Sequence, residues 1–227
     1  MNPLSWKRNT AINYHFEEGK SWLANSKRGK QCTALSYAAF EFRLAIERII
    51  FQYWYTINGN DINTENINDV RSFKRMQSKI YKLGGYQKQI DKYFEFMQII
   101  LDSIELNIKL IVPNLGSLHK YWQNCSELCH ITWTMTPKTK EVRKGVVSDL
   151  ENISDFLNEY VSGLMSWPNI ADKNFEKIQQ EFVSGTISKN DVLNYLNEIG
   201  LYAVSSDKDK DKKSFIGTAI EPNTKKT

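Results

Sequence analysis

Residues 31–57 read QCTALSYAAFEFRLAIERIIFQYWYTI, and this stretch decides the fold. Its apolar residues recur every three or four positions, which is the spacing of one buried helix face. They are Leu35, Ala38, Ala39, Phe42, Ala45, Ile46, Ile49, Ile50, Tyr53 and Ile57. The run Asn58-Gly59-Asn60-Asp61 stops the pattern. We therefore predict one long amphipathic helix from about Gln31 to Ile57.

Similar helical patterns precede and follow this stretch, with short breakers between them. They cover about residues 3–25, 68–83, 86–111, 114–130 and 137–164. Gly84-Gly85 and Pro113 end two of these helices, and Thr136 with Pro137 starts the last one. Residues 131–134 are the only candidate for a strand. Long helices joined by short loops predict an all-α, up-and-down helical bundle.

The character of the sequence changes after Trp167 and Pro168. Two short helices are predicted at about residues 171–183 and 188–200. The second begins with Ser188 and Asp191, which have the form of a capping box with Asp in place of Glu. From Ser205 the chain alternates Asp and Lys, a composition typical of disorder. The sequence thus predicts a helical bundle over 1–166, a helical appendage over 167–204 and a disordered basic tail over 205–227.

Composition sets broad limits on the function. The 227 residues are 41% hydrophobic and 25% charged, with a formal net charge of +4. These values are ordinary for a globular protein, and the mild charge allows a nucleic-acid partner without indicating one. No run approaches the roughly 18 apolar residues of a membrane span, and no apolar signal core is present. We expect a cytoplasmic protein with no membrane partner.

Each of the three histidines has a structural explanation. His15 lies on the apolar stripe of the first helix, where a hydrogen-bonded core histidine is expected. His119 lies one turn before Trp122, where it can be a surface or stacking residue. His130 falls at a helix end, where the helix dipole favours a histidine.

The three cysteines indicate neither a disulfide framework nor a metal site. Cys125 and Cys129 are four residues apart and share a helix face, while Cys32 lies elsewhere. Structural zinc sites use tighter, turn-borne pairs, and a free cysteine is commonly a small core residue. We expect no metal and no other cofactor.

Two groups of charged residues interrupt the apolar pattern. Arg43, Glu47 and Arg48 lie on the second helix, where we predict a solvated helix edge rather than a charged pocket. The other group forms a basic cluster at the start of the sixth helix: Lys138, Lys140, Arg143 and Lys144. Cations at a helix start oppose its dipole, so we predict that a phosphate or an acidic partner offsets them.

Parts of the chain resemble a known helical family. Residues 34–43 (ALSYAAFEFR), 116–119 (GSLH) and 126–130 (SELCH) resemble the second and the histidine-bearing helices of HEPN-type domains. These are prokaryotic helical bundles of toxin–antitoxin, CRISPR-associated and other anti-phage systems. The resemblance covers about residues 6–164 and implies the same bundle fold.

The resemblance also implies what the site residues would be. Active members are metal-independent ribonucleases with an Arg-Asn pair followed by a histidine. Asn124 and His130 match the family's Asn and His loosely, whereas Gln123 stands where Arg is expected. A neutral amide supplies neither the charge nor the donor fork of a guanidinium, so catalysis is not expected.

Three functions follow, in order of preference. The first is a non-catalytic HEPN-like module that binds a protein or RNA partner in a defence or toxin–antitoxin system. The second is a divergent metal-independent ribonuclease that uses His130 with Lys120 or the Arg143 cluster. The third is a helical DNA-binding or scaffold protein. A homodimer is expected by analogy with the family.

Overall fold

The helices predicted from the sequence are present in the structure, which is a computed structural model. It describes residues 8–59, 63, 66–130, 133, 137–168, 170, 173–199, 203–205 and 215–217. The helices are α1 (Arg8–Asn25), α2 (Cys32–Ile57), a 3-10 turn (Asp69–Arg71), α3 (Phe73–Gly84), α4 (Gln87–Ser103), α5 (Leu115–Cys129), α6 (Lys140–Ser162), α7 (Lys173–Ser184) and α8 (Lys189–Ile199). The all-α bundle class is confirmed. Among the described helices, none is both long and apolar enough to cross a bilayer.

Helix α2 packs against four other helices, α1, α3, α5 and α6. Every apolar residue predicted for its buried face up to Tyr53 is fully buried, because the three-to-four spacing keeps them on one side. Trp54 is fully buried as well. This single helix therefore supplies much of the core that the other helices cover.

The chain divides into two compact units. The first comprises residues 1–87 and 111–167, and the second comprises residues 88–110 and 168–227. The last boundary along the chain falls after Trp167, where the sequence changes character. The grouping of 88–110 with the C-terminal segment differs from our predicted division, which placed α4 in the bundle. Helical periodicity identifies an apolar face but carries no information about which segment covers it.

Within the second unit, α4 packs against α7. The rings of Phe96 and Phe182 are 5.8 Å apart, and the ammonium of Lys92 lies 5.1 Å from the Phe182 ring. The Tyr93 hydroxyl donates to the Pro168 carbonyl. Helix α8 follows α7 and contacts it through an edge-on pair of Phe175 and Tyr195, with centroids 6.0 Å apart.

Helix α4 ends at Ser103, so the predicted end near Ile111 is wrong. Glu105 adopts a left-handed φ of 57°. The Leu106 N–H then donates to the Leu101 carbonyl at 3.0 Å, which is the long-range bond of a helix-terminating Schellman turn. The side chain of Gln98 bonds both the Ile108 carbonyl and the Leu110 N–H. These side-chain bonds hold a non-helical segment that the apolar spacing had suggested was helix.

Two predicted helix starts have different outcomes. The Ser188 capping box is confirmed, because the Asp191 carboxylate accepts from the Ser188 N–H at 2.7 Å and the Ser188 hydroxyl accepts from the Asp191 N–H at 3.3 Å. The start of α6 lies later than predicted: Thr139, not Thr136, is the cap and accepts from the Val142 N–H at 3.3 Å. Thr136 itself lies outside the described residues.

Some predictions fall on parts of the chain that the structure does not describe. Residues 3–7 of the first predicted helix and most of the strand candidate at 131–134 are among them. So is most of the predicted disordered tail, 205–227. Within and beside that tail, Ala203–Ser205 (β1) and Phe215–Gly217 (β2) pair as short antiparallel strands.

Candidate nucleic-acid interface

A cleft of about 780 Å³ opens on the first unit between α2, the start of α3 and α5. Four cationic side chains line it: Arg43, Arg48, Arg71 and Lys74. Its other lining residues include the carboxylate of Glu47 and the rings of Phe51, Phe73, His119 and Trp122. The cleft therefore combines positive charge with aromatic surface. Both are properties of sites that bind nucleotides.

Glu47 is the centre of the polar contacts in this cleft. Its Oε1 atom accepts from the Arg43 Nε at 3.0 Å and from the Trp122 indole N–H at 2.8 Å. The side chains of Arg43 and Glu47 are 34% and 33% exposed, so they lie at the cleft wall and not in the core. The two bonds fix a guanidinium, a carboxylate and an indole relative to one another.

The aromatic wall of the cleft is a set of three rings. The Phe73 and Trp122 rings stack with centroids 5.4 Å apart and planes 25° apart, and the His119 ring lies 5.6 Å from Phe73. The Arg43 guanidinium lies 5.1 Å from the centre of the Trp122 ring, a cation–π contact. The wall is assembled from α2, α3 and α5, so the cleft depends on the packing of all three helices.

The start of α5 is held in place by the segment before it. The Tyr53 hydroxyl donates to the Ile111 carbonyl at 2.5 Å, and the Asn114 N–H donates to the Tyr160 hydroxyl at 3.2 Å. The Asn114 side chain caps α5 by accepting from the Ser117 N–H at 2.9 Å. Burial raises the pKa of Tyr160 to about 12, so this hydroxyl stays protonated at neutral pH. These bonds fix the helix that carries His119 and Trp122.

A second depression, of about 550 Å³, runs along α3 and shares Ser72 and Lys74 with the cleft. Its remaining lining residues are Asp69, Arg75, Ser78, Lys79 and Lys82. Helix α3 carries four cationic residues and no acidic one. We call the cleft and this depression together the α3 groove. It is a continuous basic track with an aromatic chamber at one end.

The sequence analysis did not predict this site. We predicted a solvated edge for Arg43, Glu47 and Arg48, and that prediction is wrong, because all three line the cleft. The signal that could have found it is the run from Arg71 to Lys82, which holds five cations and no carboxylate. For His119 we predicted either a surface or a stacking role, and its ring lies 5.6 Å from the Phe73 ring.

The predicted phosphate-binding cluster lies at the start of α6. Lys140 and Lys144 are exposed, and Lys138 places its Nζ 4.8 Å from the Trp133 ring. The Arg143 guanidinium donates to the Lys138 carbonyl at 2.7 Å, so part of its donor set is used within the cluster.

The α1–α2 loop lies against this cluster. Gly29 has a φ of 81°, and a Cβ there would lie 3.2 Å from the Arg143 carbonyl oxygen. The exposed cationic side chains of the loop are Lys27, Arg28 and Lys30. Two basic segments separated by more than a hundred residues thus form one surface. We call it the loop–α6 surface, and its residues are Lys27, Arg28, Lys30, Lys138, Lys140, Arg143 and Lys144.

The residues matched to the family's catalytic motif do not meet in the cleft. His130 is the C-cap residue of α5 and is exposed, and its backbone N–H donates to the Glu127 carbonyl at 3.3 Å. Asn124 is half-buried on α5, and Gln123 is exposed. Neither Asn124 nor His130 lines the α3 groove.

The other titratable candidates are structural. The His15 Nδ1 lies 2.7 Å from the Glu41 carboxylate, and the His15 side chain is 16% exposed. Burial raises the pKa of Cys125 well above its usual value and also raises the pKa of Cys129. Among the described residues, no group of three or more His, Cys, Asp or Glu side chains is arranged to hold a metal.

No family model matches this chain, and neither the curated proteins nor the solved structures contain a match to it.

Proposed function

We propose that this protein is a non-catalytic, HEPN-like helical module that binds single-stranded RNA in the α3 groove. The observation that carries the proposal is the sharing of Ser72 and Lys74 between the aromatic cleft and the basic depression. A single strand needs both parts, because its phosphates require cations and its unpaired bases require flat surfaces on which to stack.

The charge distribution supports this location. The α3 groove is lined by seven cationic side chains and two carboxylates, Glu47 and Asp69, a balance of +5. The whole chain carries only +4, so the rest of it is close to neutral. A local excess of this kind attracts a polyanion and raises its association rate.

The aromatic wall supports a single strand over a duplex. Bases in a duplex are stacked on each other and present only their edges, whereas an unpaired base offers its face to an aromatic ring. The rings of His119 and Trp122 lie at the cleft wall and are neither fully buried nor fully exposed. Both rings therefore keep part of their surface within reach of a base that enters the cleft.

The experiment that tests the proposal is fluorescence anisotropy with an unstructured 12-nucleotide RNA, its duplex form and the same sequence as DNA. We expect the single-stranded RNA to bind best. The logarithm of its affinity should fall with the logarithm of salt concentration at a slope of about −3 to −5, given about 0.7 per phosphate contact. Binding of the duplex with equal affinity would contradict the proposal.

A matched pair of arginine variants identifies the site in the same assay. Arg71→Ala removes an exposed cation of the α3 groove and should reduce the magnitude of the salt slope by about 0.7. Arg28→Ala removes an exposed cation of the loop–α6 surface and should leave the slope unchanged. If Arg28→Ala reduced the slope and Arg71→Ala did not, the RNA would bind at the loop–α6 surface, which contains the predicted phosphate-binding cluster.

A metal-independent ribonuclease is a second candidate, and His119 favours it. This histidine lies in a cleft with four cations, as a proton-transfer group beside a phosphate would. However, neither Asn124 nor His130, the residues that match the family's catalytic motif, lines this cleft. We expect no cleavage of RNA in EDTA. Cleavage that is lost in His119→Ala but not in His130→Ala would establish the ribonuclease instead.

A protein partner is also part of the proposal, as the HEPN resemblance implies for a subunit of a defence or toxin–antitoxin complex. Three large aromatic residues are 45–59% exposed along α1 and α2: Tyr14, Tyr37 and Phe40. Exposed apolar groups of this size favour contact with another chain, which includes a second copy. Light scattering after size exclusion, with Phe40→Ser as the variant, tests for the homodimer. A monomer of unchanged mass in both would exclude it.

A further inference from the structure

We propose that the cleft binds an unpaired guanine, and that the Glu47 carboxylate recognises its hydrogen-bond donor edge. This inference rests on the proposed binding of single-stranded RNA. It starts from the unequal use of the two Glu47 oxygens. Oε1 accepts from Arg43 and from Trp122, whereas no described residue donates to Oε2.

The Oε2 atom of Glu47 is a hydrogen-bond acceptor with a fixed direction. A carboxylate oxygen has two lone-pair positions and no proton to donate, so both positions of Oε1 are filled and both of Oε2 are open. The bonds from Arg43 and Trp122 hold the carboxylate in one orientation at the cleft wall. An incoming group meets a fixed acceptor that selects for donors.

Guanine fits this acceptor better than the other three bases. Its N1–H and N2–H groups are adjacent donors on one edge, and both can reach the same oxygen. Adenine and cytosine each place a ring nitrogen lone pair beside their amino group. Uracil flanks its single N–H with two carbonyl oxygens. These acceptors would face the negative carboxylate and be repelled by it.

The rest of the cleft suits the remaining parts of guanine. The rings of His119 and Trp122 offer surfaces for stacking, as in other sites for unpaired bases. Arginine pairs well with the O6 and N7 acceptors on the adjacent edge of guanine, and Arg43, Arg48 and Arg71 line the cleft. A volume of about 780 Å³ also lies within the range of about 300–1,000 Å³ that is usual for small-ligand sites.

The test uses four 9-nucleotide oligouridines, which carry U, A, C or G at the central position. We expect the G-containing RNA to bind about ten-fold more tightly than the others, since a hydrogen bond to a charged acceptor gives discrimination of this order. Replacing the central guanine with inosine removes only the N2 amino group. Affinity should then fall to a value between those of the G and A oligonucleotides.

Glu47→Gln tests the role of the carboxylate, because it removes the negative charge and keeps a side chain of the same size. The glutamine oxygen can still accept from Arg43 and Trp122, while its NH₂ group replaces the free acceptor with a donor. We expect the preference for guanine to disappear, with the affinity for plain oligouridine unchanged or higher. Glu127→Gln, an exposed residue of α5 outside the cleft, is the matched control and should keep the preference.

The outcomes separate this inference from the proposed function. Equal binding of the four oligonucleotides by the wild-type protein would overturn the guanine site and leave the RNA-binding proposal in place. A guanine preference that survives in Glu47→Gln would show that another group reads the base, and it would also overturn the inference. Failure of all four to bind would overturn the proposed function itself. Circular dichroism melting of each variant verifies that the fold is retained.

Discussion

The two basic surfaces of the first unit contain the same kinds of residue but differ in how these are organised. In each, a cation lies over a tryptophan: Arg43 is 5.1 Å from the Trp122 ring, and Lys138 is 4.8 Å from the Trp133 ring. The Trp122 indole N–H donates to Glu47, and its ring stacks on Phe73. The Trp133 indole nitrogen is buried and has no partner among the described residues. Positive charge attracts a polyanion, but only the α3 groove adds fixed rings and a fixed acceptor to that charge.

Charge-reversal variants of the two surfaces should show the largest difference in affinity for single-stranded RNA. Lys74→Glu with Lys79→Glu changes two cations of the α3 groove, and we expect the affinity for single-stranded RNA to fall about 50-fold or more at 0.1 M salt. Lys140→Glu with Lys144→Glu makes the same change on the loop–α6 surface and should cost less than about three-fold, through long-range repulsion alone. Anisotropy titrations measure both. Equal losses would mean that the strand crosses both surfaces.

Replacing each of the two tryptophans in turn should give a smaller difference in RNA affinity between the two surfaces. Trp122→Leu deletes a stacking surface and should weaken RNA binding about ten-fold, because stacking is worth about 1–3 kcal/mol per base. Trp133→Leu is the matched change beneath Lys138 and should have little effect on affinity. Both variants are to be melted in parallel, so that a loss of folding is not mistaken for a loss of binding. A larger effect of Trp133→Leu would place the stacking site at the loop–α6 surface.

A glycine substitution should change stability without changing binding. Gly29→Ala puts a methyl group at a left-handed φ of 81° and 3.2 Å from the Arg143 carbonyl oxygen. We expect a loss of about 1–2 kcal/mol in the free energy of unfolding, from the left-handed conformation alone. Gly145→Ala in α6 is the control: nothing lies within 4 Å of its Cβ, so it should stabilise the helix by up to about 1 kcal/mol. Urea denaturation measures both, and RNA affinity should not change in either.

The smallest expected effect is on the pH dependence of stability. It concerns Asp191 in the second unit, which lies outside both basic surfaces. Hydrogen bonds from the side chain and backbone of Ser188 lower the pKa of Asp191. Because the folded pKa lies below the unfolded value of about 3.9, the capping contribution is complete above that value and is lost as the pH falls through the folded pKa. Asp191→Asn should therefore reduce the slope of stability against pH only below about pH 4. A stability difference between the variant and the wild type that changes with pH between 5 and 8 would contradict this assignment.

Local patterns predicted the elements of this fold well. The α2 face was read from spacing, and the Ser188 capping box was read from two residues three apart, because both depend on contacts within one or two helical turns. Patterns failed where the decisive contact is distant. The end of α4 depends on Gln98 bonding to Ile108 and Leu110. The apolar residues beyond Ser103 keep a helical spacing although the backbone there is not helical. The catalytic motif suggested by resemblance, Asn124 and His130, likewise did not predict where charge and aromatic rings would meet.

The sequence by itself determined the all-α class, the buried face of α2, most helix boundaries and the cap at Ser188. Only the tertiary structure decided that Glu47 meets Trp122, 75 residues away, and that Gly29 rests against Arg143. It also decided that residues 88–110 belong with the C-terminal segment. The reason is the range of the interactions. Helix formation depends on neighbours three or four residues apart, whereas the choice of which helix faces pack together depends on the shape and burial of the whole chain.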